Sequence, residues 1–144
     1  MDKIIQLLET PDECDQIAVL FEDLTKQARR RAIELRALSH GMKGRVETEL
    51  LEVIYAYEAV LTEKNKRKTK ANRTWQMVKR YGIIEAAERA VNRQYDPQGY
   101  TTLVEKGLED LTFEAIITRF PKYFRKEVVE TAARRLEEIQ ELVR

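Results

Sequence analysis

Ile17, Phe21, Leu24, Ala28, Leu35 and Leu38 keep a three-and-four spacing, and so do Val46, Leu50, Val53, Tyr57 and Val60. Such spacing returns an apolar side chain to the same face of an α-helix at each turn. A half-buried strand needs alternation at every second residue, and no segment of the chain sustains it. Five glycines, three prolines and abundant Glu, Lys, Arg, Leu and Ala point the same way. The chain is therefore expected to be all-α, a single-domain bundle of about five or six helices over residues 1–144. It should begin with a long antiparallel helical hairpin and end with a long helix. With 144 residues, 43% of them apolar, it is long enough to bury a core without disulfides or metals.

The hairpin is read from local signals. Thr10 as N-cap, Pro11 at the first helical position and Glu13 three residues after the cap form a capping-box pattern. The apolar stripe that follows is interrupted at Arg31, where Ala32 continues it, and Gly41 closes the helix. Acids in the first half (Asp12, Glu13, Asp15, Glu22, Asp23) and bases in the second (Lys26, Arg29, Arg30, Arg31, Arg36) suit the helix dipole. The short SHGMKG connection then leads into the second stripe, widened by Leu51, Ile54 and Leu61. Each stripe is near a 3.5-residue repeat over only about three heptads, which suits a coiled coil or ordinary bundle packing; the bundle is expected.

Further on, Thr69 is placed as the cap of a helix bearing Ala71, Trp75, Val78 and Tyr81, broken at Gly82. Ile83, Ile84, Ala87 and Val91 carry the next helix, and YDPQGY supplies a turn and the one subdomain joint, near 95–100. Thr102 and Glu105 are read as capping a short turn. Leu108, Leu111, Ala115 and Ile116 then give a helical face up to Pro121, and a last helix runs from about Lys126 to the terminus.

The charges of the whole chain nearly cancel, at +1, so net charge selects no partner; its distribution is more informative. Between Glu63 and Glu85 stand eight bases and no acid: Lys64, Lys66, Arg67, Lys68, Lys70, Arg73, Lys79 and Arg80. Groups of this kind neutralise phosphates and release counterions, and Asn65, Asn72 and Gln76 among them add hydrogen-bonding capacity. These eight are the candidate nucleic-acid-binding residues, with DNA or RNA as partner, and Arg29, Arg30, Arg31 and Arg36 are a second basic group. Trp75 shares a stripe with Ala71 and Val78, which favours core packing over base stacking. The segment thus reads as a mobile basic connection and helix start, with Trp75, Val78 and Tyr81 anchoring its second half to the core. Met77, Tyr81, Ile83 and Val91 around Gly82 fit a helix-turn-helix, but Val78 is too large and Glu88 stands where an apolar residue should pack. Contact with the nucleic-acid backbone is accordingly the expected mode.

The alternative is a helical protein-interaction module or homo-oligomer with no nucleic-acid role, using the wide stripe of the second helix or the mixed-charge stripe RRLEEIQELVR. Enzyme signatures are missing: His40 is the only histidine and reads as a helix-end residue, Cys14 lies between Glu13 and Asp15 and reads as a structural thiol, and no phosphate-binding glycine loop occurs. No catalytic residue, metal or cofactor is expected. The lone cysteine and the absence of a signal-peptide pattern suggest the cytoplasm, and charges interrupt every apolar run, so no membrane partner is expected.

Overall fold

The computed structural model describes residues 1–93 and 96–143. Its regular elements are α1 (Lys3–Gln6), α2 (Pro11–Leu38), α3 (Arg45–Asn65), α4 (Asn72–Tyr81), α5 (Ile83–Val91), α6 (Pro97–Glu105), α7 (Phe113–Arg119), a 3-10 turn (Pro121–Tyr123) and α8 (Lys126–Val143). The all-α expectation holds among the described residues, with eight α-helices in place of five or six. The chain divides into two compact units, Met1–Ala32 and Ile33–Arg144.

The first unit opens with the short α1, not with a hairpin. Asp2 caps α1 by accepting the Ile4 N–H (2.8 Å). The capping box at α2 forms as the spacing predicts: Thr10 Oγ1 accepts the Glu13 N–H (3.2 Å) and Glu13 Oε2 accepts the Glu9 and Thr10 N–H groups (2.9 and 3.2 Å). Side-chain bonds from Gln16 to Asp12 and from Gln27 to Asp23 brace one-turn neighbours along the helix. None of residues 1–32 is buried. Phe21 and Leu24, expected to pack inside a hairpin, are 59% and 47% exposed.

In the second unit, Ile33 and Ala37 of the last α2 turns join the core, while Leu35 and Leu38 on the other side stay exposed. Helix α3 is the centre of this unit. It buries Val46, Leu50, Leu51, Val53, Ile54, Ala56 and Val60 and packs on α5, α6 and α7; Tyr57, expected on the stripe, is exposed. Helix α8 lies on α5, α6 and α7 through Val128, Ala132, Arg135 and Ile139. Most of the α3 and α8 stripes is thus packed within this unit, with Tyr57 and Leu142 exposed. The joint expected near 95–100 starts at Tyr95, outside the described residues; Pro97 to Tyr100 are helical, with Asp96 Oδ1 accepting the Gln98 N–H (3.1 Å). Thr102 and Glu105 lie within α6 instead of capping a turn, and Leu108 and Leu111 are buried before Thr112 caps α7.

A charged pair is built into this core. Arg135 donates to the Val91 carbonyl and lies 3.9 Å from the buried Glu114 carboxylate. Burial pushes the Glu114 carboxyl above its ordinary value, against the smaller lowering by its backbone hydrogen bond and Arg135. A carboxyl with a raised folded pKa holds its proton more tightly when folded, so stability is greatest below the unfolded pKa and falls as pH rises through the folded one. Urea midpoints of the wild type should fall along that window relative to those of Glu114→Gln; parallel curves would remove the assignment.

Candidate nucleic-acid interface

The eight candidate bases lie on consecutive backbone. Lys64 is in the last turn of α3, Lys66 follows it in the left-handed region (φ 58), and Arg67, Lys68 and Lys70 occupy the link to α4. Arg73 is in the first turns of α4, and Lys79 and Arg80 are in its last. All eight are exposed. Among the described residues none of the eight is paired with a carboxylate.

The link is fixed in place, contrary to the expectation of a mobile connection. Thr69 does not cap α4; its N–H donates to Thr62 Oγ1 on α3 (3.0 Å), its hydroxyl donates to the Arg67 carbonyl (2.8 Å), and Asn65 Nδ2 donates to its Oγ1 (3.2 Å). Ala71 is the N-cap residue, and Glu58 of α3 does what a capping side chain would do. Its Oε2 accepts the Ala71 N–H (2.9 Å) and Trp75 Nε1–H (2.7 Å), placing negative charge at the positive end of α4. Trp75 also stacks on His40, with ring centroids 5.6 Å apart and planes 10° apart, and packs on Tyr55 at 5.3 Å. His40 Nε2 lies 2.7 Å from the Tyr55 hydroxyl. Trp75 therefore serves the anchor, as the sequence favoured, together with His40, which the sequence placed only at a helix end, and the indole is committed to neighbours within the chain.

Two further acids of α3 have partners of their own. Glu49 pairs with Arg45 and Arg119 (3.3 Å each), and Glu63 pairs with Lys106 (2.8 Å).

Spacing along α4 hid a second feature. Arg73, Gln76, Met77 and Arg80 share one face at helical intervals, and with Tyr81 they meet Arg89, Asn92 and Arg93 of the next segment around an open cleft of about 520 Å³. Four arginines line it. Arg89 pairs with Glu85 (3.1 Å) and lies 3.7 Å from the Tyr81 ring centroid, with Arg80 over the same ring at 5.4 Å. Tyr81 is thus held by guanidinium groups and not by the core as expected. Arg93 Nη2 lies 3.1 Å from Met77 Sδ. The sequence signal for Arg89 and Arg93 was their one-turn separation, masked by the acids nearby. Lys70, Arg73 and Arg93 also border a second cavity of about 520 Å³ walled by Tyr57, Met77 and Phe113.

Helix α5 turns one face to the core. It buries Ile83, Ala86, Ala87, Glu88 and Val91, and the Glu88 carboxylate accepts the Arg125 N–H (2.9 Å) and pairs with its Nε (3.4 Å). Cys14, expected as a structural thiol, is exposed. Among the described residues no helix is long and apolar enough to cross a membrane. No protein-family model, curated protein or solved structure matches the chain.

Proposed function

We propose that the chain is a non-catalytic nucleic-acid-binding or regulatory accessory protein that meets phosphates through Lys64, Lys66, Arg67, Lys68, Lys70, Arg73, Lys79 and Arg80, extended by Arg93. The observation that carries this reading is the fixed link: its bases are exposed, lack carboxylate partners among the described residues, and sit on backbone already tied to α3. Ordering a segment before binding removes an entropic cost of association. Clustered guanidinium and ammonium groups without acids attract a polyanion, and the guanidiniums around the cleft suit bidentate contact with phosphate oxygens. The lone thiol fits a reducing, cytoplasmic setting.

Binding to labelled duplex and single-stranded DNA and RNA should be measured across salt concentrations. If four of the bases meet duplex phosphates, the slope of log affinity against log salt is about −3.6. The combined Lys66→Ala, Arg67→Ala, Lys68→Ala and Lys70→Ala variant should bind more weakly and with a shallower slope. Absent binding, salt-independent binding, or equal binding by variant and wild type would overturn the reading. Comparison of the four probes assigns the type of nucleic acid.

A further inference from the structure

Helix α2 carries an apolar stripe whose larger side chains stand exposed. Ile17, Phe21, Leu24 and Ala28 recur at three-and-four spacing, and Leu35 and Leu38 continue the series. Phe21, Leu24, Leu35 and Leu38 are 59%, 47%, 51% and 57% exposed, whereas Ile33 and Ala37, the α2 residues taken into the core, are 3% and 0% exposed. At 100° per residue, Leu35 and Leu38 point away from the side that Ile33 and Ala37 bury. Most helical stability in proteins comes from packing an amphipathic face, and isolated helices are marginal in water. A three-and-four seam left open along such a helix is therefore incomplete without a partner helix.

The charges along α2 identify that partner. Asp12, Glu13, Asp15, Glu22 and Asp23 make its first half acidic, and Lys26, Arg29 and Arg36 are among the bases of its second. A parallel pair would set acid against acid and base against base. An antiparallel pair sets each acidic half against the other copy's basic half, which attracts and fixes orientation. We propose that the chain forms a homodimer through antiparallel pairing of α2, with Ile17, Phe21, Leu24, Ala28, Leu35 and Leu38 as its seam. Arg31 falls at a seam position, and a charged residue there restricts the registers and strand numbers that the seam accepts. The inference does not depend on nucleic-acid binding: Lys64 and the bases after it take no part in the seam.

The test uses the full chain. Sedimentation equilibrium should give a dimer, and Leu24→Lys, which sets a cation into the seam of both copies, should raise the dissociation constant by about a hundredfold or more. Tryptophan emission should stay unchanged, because Trp75 belongs to the other compact unit. Orientation is read from Cys14, which lies three residues before Ile17 on the same spacing and is exposed. Copper-catalysed oxidation of the dimer should leave Cys14 free, since antiparallel pairing sets the two thiols at opposite ends of the seam. A monomer at every concentration, a dimer insensitive to Leu24→Lys, or a dimer cross-linked through Cys14 would overturn the proposal.

Discussion

Replacing Glu58 with alanine is expected to lower the melting temperature by about 10 °C and to shift the emission of the single tryptophan to the red. One carboxylate oxygen holds both the backbone N–H that opens α4 and the indole N–H of Trp75. Hydrogen bonds to charged groups each contribute about 1.5–3 kcal/mol, and a protein of this size loses about 2–4 °C per kcal/mol. Trp75 is stacked on His40 and Tyr55, so release of its indole admits water to the ring. Glu58→Gln keeps an acceptor oxygen without the charge and should recover about half of the lost stability. Differential scanning calorimetry and fluorescence together check this. An alanine variant with wild-type emission would show that Glu58 does not position the indole. Loss of the anchor should also weaken the proposed polyanion binding with all eight bases still present, because the ordering of the link would then accompany binding.

Glu88→Leu should destabilise the protein by about 2–4 kcal/mol, measured by urea unfolding. In a helix-turn-helix an apolar residue belongs at this position, and leucine would improve packing. Here the carboxylate is 7% exposed and accepts the N–H of Arg125, the residue before α8, while pairing with its guanidinium. Leucine would leave that N–H without its acceptor at the entry to the last helix. The sign of the change thus separates the two arrangements of α4 and α5, and a stabilised Glu88→Leu protein would restore the helix-turn-helix.

Glu88 also shows what a one-dimensional reading could see. Its position as a polar residue on an apolar stripe was legible and argued against recognition by α5, but its partner, 37 residues away, was not. The capping box at Thr10, the break at Gly82 and the buried faces of α3 and α8 followed from nearest-neighbour chemistry, which spacing encodes directly. The stripe on α2 was equally legible as a stripe. Its destination was not, because three-and-four spacing is the same whether a helix faces its own core or leaves that face open. The eight bases of the candidate interface were read from composition, and all proved exposed. Their fixed support escaped notice because it depends on Thr62 and Glu58, which precede the basic run and carry no local mark of their role. Arg89 and Arg93 escaped because a block sum that includes Glu85 and Glu88 conceals which side of the helix each charge occupies.

Gly82 joins α4 to α5 at φ 85, with open space where a Cβ would stand. The angle between the two arginine-bearing segments is therefore set at a backbone joint that only glycine occupies without strain, while its surroundings would accept a larger residue. Selection on the spacing of Arg73 and Arg80 against Arg89 and Arg93 would then act on a residue that carries no charge and touches no ligand. The width of the cleft is then a property of one torsion, separate from the number of positive charges around it.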